Sequence, residues 1–282
     1  MIRICSDSTS DLSDEIVEKY GIIIIPLHIV LGEKEYRDRI EISQDEIFEW
    51  VDKNKTTPKT SAVSYDDAVA TIKPMADAGD EFIIFTISGQ MSTTYNVFNM
   101  VAEDLGVADR VHVVDSMNLS TGIGLLVVEA AIMAQEGYST EEILKEMERL
   151  KPKVRASFVI DTLTYLAKGG RCSSVAALTG GVLRIHPKII VKDGKMDVSK
   201  KYRGAIRKVV MDYVKDMHYA LLGARRQRVF ITHTSKDREM VEEVRAYLES
   251  LGYFDEILET TAGGVISSHC GPGTLGVLFI EG

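Results

Sequence analysis

The sequence lacks the features of disulfide-stabilised and membrane-spanning proteins. Its three cysteines, Cys5, Cys172 and Cys270, are too few and too scattered in 282 residues for a disulfide framework or a zinc knuckle. No run of about 18 apolar residues occurs that would cross a bilayer as a helix. The first residues enter a strand-like segment without the apolar core of a secretory signal. We therefore expect a reduced, cytoplasmic protein.

Positive charge is also scarce, because 42 acidic residues outnumber 33 basic ones and give a net charge of -9. Affinity for nucleic acid rests largely on clustered lysine and arginine. The two short basic patches, Lys200 to Arg207 and Arg225 to Arg228, have the composition of solvated surface or helix ends. The charge balance predicts that nucleic acid is not a partner.

The signatures of nucleotide and metal chemistry are missing as well. The glycine-rich segments do not contain the Gly-x-x-x-x-Gly-Lys-Ser/Thr pattern that holds phosphates. The six histidines, at positions 28, 112, 186, 218, 233 and 269, show no paired spacing typical of metal ligands. We expect no nucleotide site, no metal and no cofactor in this chain.

Apolar runs of strand length alternate with segments of helical period, a pattern typical of α/β architecture with parallel strand pairing. The strand candidates are Ile2 to Cys5, Ile22 to Leu31, Phe82 to Ile87, Val111 to Asp115, Ala156 to Ile160, Ile185 to Val191, Arg228 to His233, Ile257 to Thr261 and Leu275 to Ile280. A chain of 282 residues is long enough to bury two medium cores. We therefore predict two α/β domains.

Local signals predict where several helices lie. Ser43 with Glu46, and Ser139 with Glu142, have the spacing of capping boxes, so helices should begin at these positions. Apolar residues recur three and four apart between Ile206 and Leu221, which indicates one buried helical face.

The second half should contain an antiparallel hairpin. Asp193-Gly194 stands between two strand-like pieces, and this dipeptide favours a tight turn because both residues tolerate positive φ. At Lys151 to Lys153 a charged helix end meets a proline before a new strand. We predict an N-terminal domain over residues 1–152 with a mostly parallel sheet, and a C-terminal domain over residues 153–282 with a mixed sheet.

Four polar or glycine-rich segments follow strand candidates, at the carboxyl ends where open α/β sheets bind ligands. They are Ser6 to Leu12, Lys59 to Ser64, Ser88 to Asn96 and Gly263 to Gly273. The third is expected to open a helix whose free N–H groups favour an anion. The glycines of the fourth permit a close approach of the backbone.

Ser92 and His269 allow two interpretations. Ser92 has the residue type of a helix cap, and His269 that of a hydrogen-bonded loop histidine. Alternatively, Ser92 is a nucleophile, His269 its base, and Asp7 or Asp115 orients the base, as in a hydrolase or acyl transferase. No Gly-x-Ser-x-Gly motif surrounds Ser92, so the motif support for catalysis is weak.

Taken in order, several motifs resemble those of the DegV family, which includes the fatty-acid-binding subunits of bacterial fatty acid kinase. The resemblance covers essentially the whole chain. The matching segments are Asp7 to Leu12, Thr60-Ser61, Met91 to Tyr95, Asp115-Ser116, Asp161 to Leu166, Lys168 to Arg171, Pro187, Asp193-Gly194, Arg203-Gly204 and His269 to Gly273.

The resemblance implies a fatty acid held in a tunnel at the junction of two α/β domains. Thr60 and Ser92 would donate hydroxyl hydrogen bonds to its carboxylate, with His269 nearby. Next to these three would lie Ser61, Thr93 and Cys270. An acyl chain of about 16 to 18 carbons gains roughly 0.8 kcal/mol per buried methylene, whereas its carboxylate needs hydrogen-bond donors.

The same resemblance implies a role as a carrier without enzymatic activity of its own. The carboxylate would be presented to a separate ATP-binding fatty acid kinase subunit, which makes acyl phosphate for phospholipid synthesis. Arg171 and Arg203 would face that kinase or the phosphate, and a transient contact with a membrane surface is also expected. A sensor for another small organic anion is a further alternative, which the length of the tunnel would decide.

Two positions depart from the family pattern. Thr93 stands where a glycine usually follows the serine, and Ala62 replaces a common glutamine. A β-branched residue restricts the backbone and adds volume beside the expected carboxylate. We expect these two residues to alter the pocket.

Overall fold

The computed structural model of this chain describes residues 1–176, 178 and 185–282. Their strands are β1 (Ile2–Asp7), β2 (Ile23–Ile25), β3 (His28–Leu31), β4 (Lys34–Arg37), β5 (Lys59–Ser61), β6 (Glu81–Thr86), β7 (Val111–Asp115), β8 (Val154–Val159), β9 (Ile185–Lys192), β10 (Lys195–Arg203), β11 (Ala224–His233), β12 (Glu256–Thr261) and β13 (Leu275–Glu281). Their α-helices are α1 (Asp14–Tyr20), α2 (Gln44–Asn54), α3 (Tyr65–Asp77), α4 (Thr94–Asp104), α5 (Thr121–Gln135), α6 (Thr140–Leu150), α7 (Thr164–Gly169), α8 (Ser173–Ala176), α9 (Ile206–Asp216), α10 (His218–Leu222), α11 (Arg238–Ser250) and α12 (Gly264–Cys270).

The first half of the chain forms two sheets. β2, β1, β6 and β7 lie in that order in a four-stranded sheet, and every pairing in it is parallel. Its central strand β6 is an apolar run that is almost wholly buried, as expected of a parallel sheet covered on both faces. β4, β3 and β5 form a separate antiparallel sheet that the sequence pattern did not predict.

The second half forms one six-stranded sheet in the order β10-β9-β8-β13-β11-β12. Only β11 and β12 pair in parallel among its described strands. Asp193 and Gly194 join β9 to β10 with φ values of 49° and 76°, which confirms the predicted hairpin and its turn. The predicted fold class, a mostly parallel first sheet and a mixed second sheet, is confirmed.

One predicted strand is wrong. The apolar run from Ile22 to Leu31 is divided at Pro26 into β2 and β3, which belong to different sheets. Proline has no N–H for a strand ladder. The following N–H, that of Leu27, donates to Ser8 Oγ at 3.1 Å instead of to a strand. The chain therefore leaves the parallel sheet at this point.

The predicted helix starts agree with the structure. Ser43 and Ser139 form complete capping boxes with Glu46 and Glu142 at the starts of α2 and α6. The predicted helical face from Ile206 to Leu221 is divided between α9 and α10, which meet at Met217, and its central apolar residues are buried as expected.

One apolar core joins the two halves through α5. This helix is apolar and almost entirely buried, as a helix enclosed by other elements must be. It packs against β1 and β6 of the first half and against β8 and β13 of the second. The junction between the halves is therefore part of the core.

The predicted boundary between residues 152 and 153 falls within a short 3-10 turn, Lys151–Lys153, between α6 and β8. The first two sheets use only strands before this turn, and the third uses only strands after it. The boundary stays a prediction. None of the helices in the described residues is both long and apolar enough to cross a membrane.

Candidate functional site

A cavity of about 520 Å³ lies at the junction of the two halves. Small-molecule sites commonly occupy about 300–1,000 Å³, so its volume suits a small organic ligand. It is lined by Leu27, Thr60, Ser61, Ala62, Ile87, Gly89, Gln90, Met91, Ser92, Thr93, Leu119, Arg171, Met196, Val265, Ile266, His269 and Cys270. Of the residues that the family resemblance predicted for the site, all except Arg203 are among them, whereas Asp7 and Asp115 of the alternative catalytic interpretation are not.

Thr60 and His269 meet across the junction. Thr60 lies in the short strand β5, where antiparallel pairing with Ile29 of β3 fixes its register. His269 lies near the end of α12, not in a loop as one interpretation of the sequence held. The His269 Nε2 and Thr60 Oγ1 atoms are 2.8 Å apart, so one hydrogen bond links residues 209 positions apart in the chain.

The His269 side chain is half-buried, with its Nδ1 atom fully enclosed, and this sets its charge. Burial, with a further contribution from the positive charge of Arg171, lowers the pKa of His269 to about 4. The imidazole is therefore neutral near pH 7. Its Nδ1 atom is buried and has no hydrogen-bond partner among the described residues.

Gly169 allows the His269 ring to lie where it does. A Cβ atom at Gly169, the last residue of α7, would stand 2.3 Å from His269 Nδ1. Such a contact does not occur between real atoms, so the glycine is needed for close approach and not for a turn. Gly169 was not predicted as a site residue, although it follows Lys168 in the motif that resembles the family.

Ser92 lies in the loop between β6 and α4. Its Oγ atom is 2.9 Å from Thr94 Oγ1 and accepts a hydrogen bond from the Thr94 N–H at 3.3 Å. The Ser92 N–H donates to the Ser88 carbonyl at 3.1 Å, which closes the turn. Ser92 therefore interacts with the first turn of α4 and also lines the cavity.

The described contacts do not join Ser92, His269 and an aspartate into a catalytic triad. The side-chain partner of Ser92 is Thr94, and that of His269 is Thr60. Asp7 accepts hydrogen bonds from Thr9 and from the Ile87 N–H. Asp115 accepts from the backbone N–H groups of residues 89 and 117. Neither aspartate orients the imidazole.

The residues next to these groups differ in what they offer the cavity. Ser61 donates its hydroxyl hydrogen bond to Glu35 at 3.2 Å, because side chains alternate along β5 and Ser61 faces away from Thr60. Thr93 is exposed at the rim with a φ of -88°, so this β-branched residue fits the turn without positive φ. Cys270 is buried, and burial raises the pKa of its thiol.

The two predicted arginines lie in different places. Arg171 spans the junction at the cavity rim, where its Nε donates to the Met91 carbonyl at 3.4 Å and its Nη1 to the Gly169 carbonyl at 2.9 Å. Arg203 is exposed at the end of β10, opposite Ile185, and does not line this cavity. Its predicted role stays a prediction.

The apolar wall of the cavity was not predicted. Leu27, Ile87, Leu119, Met196 and Ile266 come from five separate elements or loops. A void of about 20 Å³ shares Leu119, Ile266 and Cys270 with the cavity and is also lined by residues of the six-stranded sheet. No spacing in the sequence distinguishes these residues from others in the core.

A cavity at the junction of two α/β halves that is lined by both apolar residues and hydroxyl and imidazole groups is characteristic of proteins that bind a small amphiphilic ligand. The family model described as DegV matches residues 1–282. The chain belongs to the DegV family.

Relatives of known sequence are similar over almost the full length. A DegV domain-containing protein of Caldanaerobacter subterraneus is 32% identical over 282 residues, with 99% of each chain covered. A DegV domain-containing protein of Deinococcus radiodurans is 32% identical over 276 residues, covering 98% of this chain and 97% of the relative.

Solved structures show the same fold. A fatty-acid-binding DegV family protein from Thermus thermophilus superposes with a TM-score of 0.91 at 31% identity, covering 99% of each chain. DegV of Bacillus subtilis, a fatty-acid-binding protein, has a TM-score of 0.85 at 27% identity, covering 100% of this chain and 99% of its own. A stearic-acid-binding protein from Eubacterium ventriosum has a TM-score of 0.86 at 28% identity, covering 100% of this chain and 98% of its own.

Proposed function

We propose that this protein binds a long-chain fatty acid in the junction cavity and presents its carboxylate to a separate kinase. The observation that supports this most directly is the contact between Thr60 and His269 in a cavity lined by both apolar and polar residues. The fatty acids bound by the similar proteins from Thermus thermophilus and Bacillus subtilis support the same ligand class.

The apolar and polar residues of the cavity lining match the two parts of a fatty acid. Each methylene taken out of water contributes roughly 0.8 kcal/mol, so a chain of about 16 carbons offers on the order of 10 kcal/mol before other costs. A carboxylate loses its hydration on entry and needs hydrogen-bond donors in return. The hydroxyl groups of Thr60 and Ser92 are the donors that we propose.

The tautomer of the neutral His269 ring determines whether the Thr60 hydroxyl is able to donate a hydrogen bond to the ligand. A proton on Nδ1 would be a buried donor without an acceptor among the described residues, which is rarer and more costly than an unpaired acceptor. A proton on Nε2 instead donates to Thr60 Oγ1. The Thr60 hydroxyl hydrogen is then free for the ligand carboxylate.

Neutral donors keep the carboxylate reactive. A bidentate arginine would hold both carboxylate oxygens and offset their charge, whereas two hydroxyl groups leave lone pairs available. In the proposed reaction a carboxylate oxygen attacks the γ-phosphorus of ATP held by the kinase, and ADP leaves as acyl phosphate forms. Arg171 lies at the cavity rim and Arg203 at an exposed strand end, where a partner is able to reach them.

Phospholipid synthesis is the proposed use of the acyl phosphate, and the cytoplasm is the proposed location. The three cysteines are buried and form no disulfide, as expected in a reducing compartment. The protein itself supplies binding and presentation in this scheme, and the kinase supplies the nucleotide.

Ligand binding is tested by extracting the purified protein with organic solvent and identifying the extract by mass spectrometry. We expect a stoichiometric long-chain fatty acid in the wild type and a reduced amount in Thr60→Val and Ser92→Ala. Ser61→Ala is the matched control, because its hydroxyl also belongs to the cavity lining but is already bonded to Glu35. A protein that neither contains nor takes up fatty acid would refute the proposal.

Presentation is tested separately with a purified bacterial fatty acid kinase, ATP and the fatty-acid-loaded protein. We expect acyl phosphate to form, and Arg171→Ala to lower the rate while the amount of bound fatty acid is unchanged. Ester substrates are assayed in the absence of kinase. Turnover that disappears in Ser92→Ala would instead identify a hydrolase.

A further inference from the structure

Helix α12 belongs to the second half of the chain but is held by the first. It packs against α2, β3 and β5 of the first half. The Gln44 side chain at the start of α2 donates to the Ala262 carbonyl at 3.0 Å and to Ser267 Oγ at 2.7 Å. At the other end of α12, His269 contacts Thr60. The helix is thus fixed at both ends.

Two buried carboxylates of the first half hold the start of this helix. The Gly263 N–H donates to Asp11 Oδ1 at 2.8 Å, and the Gly264 N–H donates to Asp38 Oδ1 at 2.8 Å. The side chains of Asp11 and Asp38 come from different loops, yet both are almost fully buried. Burial raises the pKa of both groups, that of Asp11 to about 7, but a carboxyl oxygen accepts the backbone N–H in either protonation state.

Each carboxylate is itself held in one orientation. The second oxygen of Asp11 accepts from Ser120 Oγ at 2.6 Å, and that of Asp38 accepts from Ser8 Oγ at 2.8 Å. Ser8 Oγ in turn accepts from the Leu27 N–H at 3.1 Å. These bonds leave neither carboxylate free to rotate away from the helix.

The start of α12 also has no room to slide. A Cβ atom at Gly264 would stand 2.5 Å from Ile29 Cδ1, 2.7 Å from Ile47 Cδ1 and 2.9 Å from Asp38 Oδ1. Because a helix of seven residues is only about 10 Å long, a displacement of its first turn moves its last turn as well. The position of His269 therefore depends on the contacts of Gly263 and Gly264.

We infer that Asp11 and Asp38 are positioning residues for ligand binding: through the backbone of Gly263 and Gly264 they place the His269 imidazole against Thr60. The inference rests on the proposed fatty-acid function. Buried carboxylates are costly, and apolar residues of similar volume commonly stabilise a protein as well or better. The directional hydrogen bonds to α12 give a reason for two such groups at this place.

The test compares Asp11→Ala and Asp38→Ala with Asp11→Asn and Asp38→Asn in the full-length protein. Binding of palmitic acid is titrated after delipidation, and the His269 ring is observed by NMR in protein with 15N-labelled histidine. Each alanine variant should raise the Kd roughly tenfold and shift the His269 signals. The asparagine variants keep an oxygen acceptor and should recover most of the affinity.

A double-mutant cycle separates positioning from general stability. If Asp38 acts through His269, Asp38→Ala should add almost nothing to the Kd of His269→Ala. Glu129→Ala is the matched control, because it removes the contact of α5 with Arg228 across the same junction and does not touch α12. It should lower the melting temperature and leave the Kd unchanged to within about twofold.

The outcomes are distinct. A wild type that binds no palmitic acid refutes the proposed function itself. If the wild type binds palmitic acid and Asp11→Ala and Asp38→Ala bind it with the same Kd, only the positioning role is refuted. The same holds if the His269 NMR signals of these variants do not shift. If the alanine variants do not fold, Asp38→Asn decides the question. Wild-type Kd together with shifted His269 NMR signals in this variant refutes the positioning role, and wild-type Kd together with unshifted signals supports it.

Discussion

Replacing Gly169 by alanine should weaken ligand binding far more than it changes stability. The added Cβ would stand 2.3 Å from His269 Nδ1, 3.1 Å from Cε1 and 3.4 Å from Cγ. An ordinary contact begins near 3.4 Å, so the ring must retreat by about 1 Å. Such a movement presses Nε2 against Thr60 or swings it out of the 2.8 Å hydrogen bond.

The magnitudes predict different effects on folding and on binding. Loss of the bond between His269 and Thr60 costs about 1 kcal/mol of folding stability. Alanine in place of glycine in α7 returns up to about 1 kcal/mol, because Gly169 does not have a positive φ. Loss of a donor to the ligand carboxylate costs about 1.5 to 3 kcal/mol of binding, or roughly 10- to 100-fold in Kd.

Titration of delipidated protein with palmitic acid measures the Kd, and urea unfolding measures the free energy of unfolding. Lys168→Ala is the control, since Lys168 is the exposed neighbour in the same helix. It should leave both quantities near their wild-type values. Wild-type affinity in Gly169→Ala would show that the position of the His269 ring does not control binding, and would refute the reasoning.

Three further predictions follow from contacts at the junction. Because burial lowers the pKa of His269 to about 4, the unfolded chain binds more protons between about pH 6.5 and pH 4. The His269 contribution to stability should therefore fall as pH drops through that range, by about 2 kcal/mol at pH 5, whereas the raised pKa values of Asp7, to about 6, and Asp11, to about 7, act in the opposite direction. His269→Asn should remove this part of the slope in urea unfolding, and identical slopes would contradict it. Arg228→Ala leaves the half-buried Glu129 carboxylate with only Arg225, at 3.3 Å, and should cost about 2 kcal/mol of folding stability. Replacing Arg228 and Glu129 by leucine should recover most of the loss, whereas unchanged stability in Arg228→Ala would contradict the importance of this ion pair. Gly194→Ala places a Cβ 2.6 Å from Ser88 Oγ at a φ of 76° and should cost at least about 1 to 2 kcal/mol, which unchanged unfolding in urea would disprove.

Features that depend on neighbouring residues were predictable. Capping boxes at Ser43 and Ser139, and the turn at Asp193-Gly194, follow from bonds and φ values within a few positions. The division of the run from Ile22 to Leu31 was missed, although Pro26 is the local cause. Apolar runs on both sides of this proline looked like one strand, and only pairing with different sheets separates them.

Part of the site was also predictable, because family motifs recur in order along the chain. Thr60, Ser92 and His269 were identified in this way and line one cavity. The motifs did not reveal that His269 lies on a helix, or that Asp11 and Asp38 hold its first turn.

The sequence by itself determined the α/β class, the helix starts, the hairpin and the polar residue types available for a carboxylate. Only the tertiary structure decided which of them meet. Thr60 and His269 are 209 positions apart, and Gly264 and Asp38 are 226 apart. No local spacing encodes such contacts, because they form only when α12 packs into the first half and the whole core fixes its position.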